Sequence, residues 1–88
     1  MRKQYTQTLK TFFHSKLLHS RVDDLAITQE EMASRLSMSC RSYADLDHGE
    51  TSCSAVTLAL YLVYICNDPE EFLKELHHAF EAIGANVP

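Results

Sequence analysis

The chain of 88 residues is short of glycine and proline, with two of each, and it has no tryptophan. A loop that cradles phosphate groups needs several glycines, because only a residue without a Cβ lets the backbone approach so closely. A nucleotide site of that kind is therefore excluded. No nucleophile stands with a base, and no carboxylates are paired at a catalytic spacing, so we expect that the protein is not an enzyme.

Cysteine is also scarce, with three residues and no C-x-x-C pair. An odd number argues against a disulfide framework and is typical of a reducing compartment. His77 and His78 are adjacent, so they would point about 100° apart on a helix, and no pair of ligands has the spacing of a structural zinc site. We expect no metal and no cofactor. Cys40 beside Arg41 leaves a redox switch open, against the simpler interpretation of a small contact residue.

Long apolar runs are absent as well. No run approaches the roughly 18 residues that span a membrane, and the polar residues 1–10 do not resemble a secretory signal. We therefore expect a cytoplasmic protein without a membrane partner. The length supports one domain, residues 1–88, with one modest core and no room for a second, ligand-sensing domain, and no small-molecule substrate is evident.

Acidic residues are missing from the first 21 positions, which hold five of the eight lysines and arginines. All twelve carboxylates lie in residues 22–88, and the net charge is −4. That balance is opposite to the basic charge typical of proteins that bind nucleic acids. The basic amino-terminal segment could still supply phosphate contacts, or it is the solvated face of an ordinary helix.

Helical patterns fill most of the chain, and no segment has a convincing strand pattern. In the first, five apolar residues recur with a period near 3.6 and are predicted to lie in the core: Tyr5, Leu9, Phe12, Phe13 and Leu17. Asp68 as a cap, Pro69 in the first turn and Gly84 as the stop mark the last helix. The sequence predicts an all-α fold of five helices, over about residues 3–20, 28–37, 39–48, 55–66 and 69–83, and a disordered tail at residues 84–88.

The most informative segment is residues 28–49, where two short helical patterns are separated by about three residues. Thr28 and Glu31 form a T-x-x-E capping box, Ser39 caps the second helix, and Gly49 ends it. Two helices so close in sequence cannot lie side by side, so the second is expected to stand clear of the surface. An exposed helix of this length fits the major groove of DNA.

The TQEE-M-A opening, the apolar Met38 in the turn, the serine cap and the L-D-H-G ending resemble the helix-turn-helix of the lambda-repressor-like family. This is the Cro and xenobiotic-response-element group of bacterial and phage regulators, and the resemblance covers about residues 9–66. It implies a sequence-specific, repressor-like transcription regulator that binds double-stranded DNA. The second helix, about residues 40–48, would enter the major groove and contact bases through Cys40, Arg41, Ala44 and Asp45.

The resemblance also implies contacts to the DNA backbone. Gln29 would touch a phosphate or brace the second helix, and Ser39 would lie near the backbone. The full set of expected backbone contacts is Thr28, Gln29, Ser39, Lys10, Lys16 and Arg35. Ser37 stands where the family usually has glycine, which implies a non-glycine residue at positive φ, at a cost of about 1 kcal/mol.

The fourth predicted helix contains the run LALYLVYIC, which is apolar on every side. A helix without a polar face must be covered all round, and in so small a domain a second copy of the chain is expected to cover part of it. Regulators of the family that the segment resembles bind as two-fold dimers, with reading helices about 34 Å apart. Candidates for this homodimer interface are Tyr61, Tyr64, Phe72, Leu76 and Phe80.

A second interpretation keeps the fold but assigns it to protein binding. The chain would then be an adaptor or antirepressor-like protein whose acidic surface meets a basic partner. Asp45, Asp47 and Glu50 would be the contact residues.

Overall fold

The structure, a computed structural model, describes residues 2–85 and contains within that range five α-helices and no β-strand. The helices are α1 (Arg2–His19), α2 (Gln29–Arg35), α3 (Cys40–Asp47), α4 (Ala55–Leu60) and α5 (Pro69–Ala85). A π-helical turn, Ser20–Asp24, continues α1, and a second, Tyr61–Ile65, continues α4. The predicted all-α fold is confirmed. None of the helices in the described range is long and apolar enough to cross a membrane.

Side-chain caps start the four helices that follow α1, and the sequence analysis above predicts three of them, Thr28, Ser39 and Asp68. The backbone amide three residues into each helix donates to the cap at 3.1–3.2 Å, and the caps are Thr28, Ser39, Ser54 and Asp68. One half of the predicted capping box is wrong. The Glu31 carboxylate does not return to the Thr28 amide but accepts from Arg35 at 3.2 Å, one helical turn further along.

Two left-handed residues shape the helix-turn-helix segment. Ser37 has φ of 55°, as predicted, and Gly49 has φ of 74°. At each site two amides fold back onto the preceding helix; for example, Met38 N donates to Ala33 O at 3.0 Å. The same motif thus ends both α2 and α3. Ala26, at φ of 51° between α1 and α2, is a third left-handed residue that the sequence does not signal.

The core lies between α1 and the other helices. Ten apolar residues are buried in it: Phe13, Leu17, Met32, Ala33, Leu36, Tyr43, Leu46, Tyr61, Ile65 and Phe72. Edge-to-face ring pairs join α1 to the second half of the chain, with centroids 5.2 Å apart for Phe13 and Tyr61 and 5.1 Å for Phe12 and Phe72. Of the five residues predicted as core in α1, two are buried and the other three are half-buried.

The two π-helical turns meet in the core. The Ser20 hydroxyl and the Tyr61 hydroxyl, on the first residue of each turn, are 2.8 Å apart and buried. Burial of the phenol raises the pKa of Tyr61 to about 12, so it stays protonated and can donate. The sequence predicts that the first helix ends near residue 20. That prediction is wrong, because a regular π-helical turn continues the helix to Asp24.

The carboxyl-terminal helix is longer than predicted. Gly84 does not stop α5, which continues to Ala85. Gly84 is tolerated there because α5 packs along α1, with the Tyr5 hydroxyl near the glycine and the Tyr5 ring 5.0 Å from that of Phe80. The predicted disorder is therefore wrong for residues 84 and 85. Residues 86–88 of the predicted tail lie outside the described range.

The two glycines allow a matched test of these local structures. Gly49→Ala should destabilise the fold by about 1–2 kcal/mol, because alanine at positive φ is strained. In addition, its Cβ would lie 3.3 Å from Cγ of His14. Urea denaturation followed by circular dichroism measures the change.

Gly84→Ala is the control, because the nearest atom to its Cβ would be the Tyr5 hydroxyl oxygen at 3.9 Å and the site is helical. It should stabilise the protein by about 0.5–1 kcal/mol. Equal effects of the two substitutions would contradict the positive φ at Gly49.

Candidate nucleic-acid interface

Helix α3 has one anchored side and one open side. Tyr43, Leu46 and Asp47 are buried against the rest of the domain. The open side carries Cys40, the first residue of the helix, and the residues one, four, five and eight positions after it. Cys40, Arg41 and His48 are exposed, and Ala44 and Asp45 are half-buried. All four residues predicted to contact bases therefore share the open face of α3.

A buried carboxylate anchors α3. Asp47, in the last turn, accepts from Tyr43 Oη at 2.9 Å, from Gln29 Nε2 at 2.9 Å and from Arg21 Nε at 3.1 Å. A second Arg21 nitrogen lies 3.4 Å from the other carboxylate oxygen, and a third donates to the carbonyl of Ile27 at 3.3 Å. The Asp47 cluster (Arg21, Gln29, Tyr43 and Asp47) thus ties α3 to the start of α2 and to the turn that continues α1.

The cluster favours the charged form of the carboxylate. Burial alone would raise the pKa of Asp47, but hydrogen bonds from Tyr43, Arg21 and Gln29 outweigh it and hold that pKa below its ordinary value. Burial, together with the bond to Asp47, raises the pKa of Tyr43. Burial would lower the pKa of Arg21, yet the neighbouring carboxylate raises it. All three groups keep the protonation states that the hydrogen bonds require at neutral pH.

The cluster corrects two assignments made from the sequence. Asp47 was expected in an acidic contact surface, but it is 5% exposed and accepts three side-chain donors. Arg21 was counted with the free amino-terminal cations, but it is the cluster's cation. The spacing of Tyr43 and Asp47, one helical turn apart, could have indicated the hydrogen bond between these two residues, but no sequence signal marks Arg21 as a partner of Asp47.

The residues expected to contact the DNA backbone are in different situations. Thr28 and Ser39 are exposed at the starts of α2 and α3, beside the open face. Arg35 is exposed and pairs with Glu31. Gln29 is half-buried and donates to Asp47, so of its two predicted roles the structure has the bracing of α3.

The two lysines of α1 that were predicted to contact DNA, Lys10 and Lys16, face in different directions. The Lys16 ammonium forms an ion pair with Glu75 of α5 and lies over the Phe12 ring. Lys10 is one turn before His14, whose ring packs against Gly49 at the end of α3. Of these two, Lys10 is therefore the one on the side of α1 that faces α3, and in the described range it forms no ion pair.

The carboxylate of Asp45 lies beside a cleft rather than in the centre of the open face. The cleft runs between α3 and the start of α4 and is lined mainly by hydroxyl-bearing residues, among them Ser42, Thr51 and Ser54. Arg41, one turn earlier on α3, is exposed and forms no ion pair within residues 2–85. It is the cation that the open face presents.

Two of the predicted dimer contacts are wrong. Tyr61 and Phe72 are each 2% exposed and pack in the core of a single copy, so they have no surface to offer a partner. The apolar run of α4 has two sides, and Tyr61 lies on the inner one. Leu76 and Phe80 are half-buried, and Tyr64 is exposed.

The sequence also raised metal binding and cysteine chemistry. Residues 2–85 contain no group of three histidine, cysteine or acidic side chains that could hold a metal ion. The three cysteines, Cys40, Cys53 and Cys66, are all free thiols.

Comparison of the chain with protein-family models, with curated proteins and with solved structures gives no match.

Asp47→Asn tests whether the charge of the cluster anchors α3. At pH 7 the substitution leaves the half-buried Arg21 without its carboxylate and should cost about 3 kcal/mol of unfolding free energy. Because the pKa of Asp47 is lowered in the folded state, its contribution is present above the unfolded value of about 3.9 and is lost as the pH falls through the folded value. The difference between the parent and the variant should therefore shrink below about pH 4.

Urea denaturation at several pH values measures this difference. Asp45→Asn, on the same helix, is the control and should change the free energy of unfolding by less than about 0.5 kcal/mol at pH 7. An Asp47→Asn defect of the same size at pH 3 and pH 7 would show that the ion pair is not its cause.

Proposed function

We propose that the protein is a sequence-specific DNA-binding regulator of the repressor-like kind, with α3 entering the major groove. The observation that carries the proposal is the two-sided character of α3, whose inner residues are anchored by the Asp47 cluster while Cys40, Arg41 and His48 are open to solvent. A helix that is held rigidly on one side and exposed on the other is the geometry that base recognition requires.

Arg41 is the main base contact in this proposal. Its guanidinium is exposed in the first turn of α3 and is not occupied by a carboxylate in the described range. It can donate two parallel hydrogen bonds to O6 and N7 of a guanine, which is worth about 1–3 kcal/mol of discrimination between bases. Cys40 and Ala44 add a small, apolar contact surface next to it. Asp45, at the edge of the face, could accept from the amino group of a cytosine.

Phosphate contacts come from the rim of the open face. Thr28 and Ser39 place hydroxyls at the starts of α2 and α3, and Arg35 and Lys10 supply cations from α2 and α1. Contacts of this kind position the helix without selecting a sequence. Lys16 is left out, because its ammonium is paired with Glu75 of α5 and lies over the Phe12 ring. Arg35 is kept although it pairs with Glu31, because both side chains are exposed on α2 and exposed pairs of this kind are weak.

The alternative of a protein-binding adaptor is weaker than the sequence suggested. Its acidic contact surface was to consist of three carboxylates, and Asp47 is buried in the cluster while Asp45 lines the cleft beside α4. Only Glu50 of the three is fully exposed. A salt-dependent affinity for DNA separates the two functions, since an adaptor would bind random duplexes negligibly even at low salt.

Selection of duplexes from a random pool by the purified protein, at two salt concentrations, tests the function. We expect an enriched site and a negative slope of log affinity against log salt. Arg41→Ala should remove the preference for that site, by about 10-fold or more, and leave a weak, salt-sensitive binding.

Lys10→Ala should weaken binding to all sequences alike and make the salt slope shallower by about one. Lys74→Ala is its matched control, because Lys74 is an exposed lysine on α5 among Glu70, His77 and Glu81. It should leave the slope unchanged. A protein that enriches no duplex, or an Arg41→Ala variant that keeps the full preference, would contradict the proposal.

A further inference from the structure

The cleft between α3 and the start of α4 contains a single charged group. It has a volume of about 230 Å³ and nine lining residues, of which five carry hydroxyl groups. Asp45 is the only acidic or basic residue among them. Burial raises the pKa of the Cys53 thiol, which therefore stays neutral at neutral pH. We call this pocket the Asp45 cleft, and the charge of its lining is that of one carboxylate.

The Asp45 carboxylate has no partner of its own. It is half-buried, yet within residues 2–85 it accepts no hydrogen bond and forms no ion pair. Asp47, two residues further along α3, accepts three side-chain donors. Residues 42–73 contain no lysine or arginine, and Arg41, one turn before Asp45, does not pair with it. Half-burial therefore removes part of the hydration of Asp45 without a protein donor to replace it.

Other groups around the carboxylate can also bind a ligand. Thr51 and Ser52, in the loop between α3 and α4, are exposed, and their hydroxyls form no hydrogen bond in the part of the chain that the structure describes. Met38 and Leu46 contribute apolar side chains to the lining. The cleft thus combines an unpaired acceptor, free hydroxyls and a small apolar surface.

We infer that the Asp45 cleft binds a small molecule that carries a primary ammonium group on a short apolar stem. An ammonium group has three N–H donors, so it can bond the carboxylate and a neighbouring hydroxyl at the same time. The stem would lie against Met38 and Leu46. An unpaired carboxylate gains more from a charged donor than from a neutral one, which favours an amine over an alcohol.

The lining of the cleft argues against other classes of ligand. An anion would be repelled by Asp45. A quaternary ammonium has no N–H to donate, and none of the lining residues is an aromatic ring over which it could lie. Calcium takes about six to eight oxygen ligands, several of them carboxylates. Asp45 is the one carboxylate of the lining, and residues 2–85 contain no group of three side chains that could hold a metal ion.

The size of the cleft limits the ligand and its affinity. A volume of about 230 Å³ is below the roughly 300–1,000 Å³ of pockets that hold drug-sized molecules. We therefore expect an aliphatic amine of about four carbon atoms to bind with a dissociation constant of about 1 mM. The Asp45 cleft adjoins the open face of α3, but the binding is measured without DNA, so the inference does not depend on the proposed function.

Titration of the isotope-labelled protein with butylammonium chloride, at constant ionic strength and followed through the backbone amide signals by NMR, tests the inference. We expect saturable shifts at the amides of residues 42–45 and 51–54, with a dissociation constant of about 1 mM. Butanol has the same stem without the charge, and tetramethylammonium has the charge without a donor. Each should bind at least about 10-fold more weakly than butylammonium.

Asp45→Asn should weaken the binding of butylammonium by at least about 10-fold, because an amide cannot form the charged hydrogen bond. Glu50→Gln is the matched control. It removes the same charge from an exposed residue of the same loop that does not line the cleft, so it should change the affinity by less than about 2-fold. Circular dichroism confirms that both variants are folded.

A parent protein without saturable shifts would overturn the inference, and so would equal losses in Asp45→Asn and Glu50→Gln, which would indicate general attraction to an acidic chain. Tetramethylammonium that binds as tightly as butylammonium would overturn the hydrogen-bonded ammonium. A protein that binds butylammonium in the cleft but enriches no duplex would support the inference and contradict the proposed function, so the two can fail separately.

Discussion

The carboxylate of Asp47 is the group on which the arrangement of the helices depends. Its three donors come from the turn after α1, the start of α2 and the body of α3. Apolar packing alone would hold α2 and α3 loosely, because these helices are short, with seven and eight residues. A buried ion cannot shift without losing its donors, because an unpaired buried charge is far more costly than a lost apolar contact. The cluster therefore fixes where α3 lies, and burial of Tyr43 and Leu46 adds the stabilising free energy.

The local structure was largely predictable from the sequence, because it depends on neighbours in the chain. The caps Thr28, Ser39, Ser54 and Asp68 needed no knowledge of the fold, since each acts on an amide three residues away. The left-handed Gly49 follows from the same local rules, whereas the positive φ of Ser37 was implied by the resemblance to the helix-turn-helix family. The open face of α3 was equally accessible, because helical spacing separates residues 40, 41, 44 and 45 from Tyr43 and Leu46.

Interactions between distant parts of the chain were not predictable. Arg21 and Asp47 are 26 residues apart, and Ser20 and Tyr61 are 41 apart, so no local pattern marks either pair. From composition alone, Arg21 belongs with the basic residues of the amino-terminal segment and Asp47 with the acidic residues of the contact surface. In the structure these two side chains form an ion pair with each other. Tyr61 and Tyr64 illustrate the same limit. Both belong to one apolar run, and only the direction from which α1 and α5 pack decides that the first is core and the second is surface.

Charge limits how the proposed DNA contact can form. Of the eight lysines and arginines, Arg21, Lys16 and Arg35 are paired with carboxylates of the same chain. An anionic chain gains little from long-range attraction to phosphate, so in the proposed function the affinity has to come from close contacts at the open face of α3. Close contacts require a helix whose position is fixed, because a small displacement breaks the hydrogen bonds to a base. The proposed function therefore depends on the same Asp47 cluster that holds α3 in place.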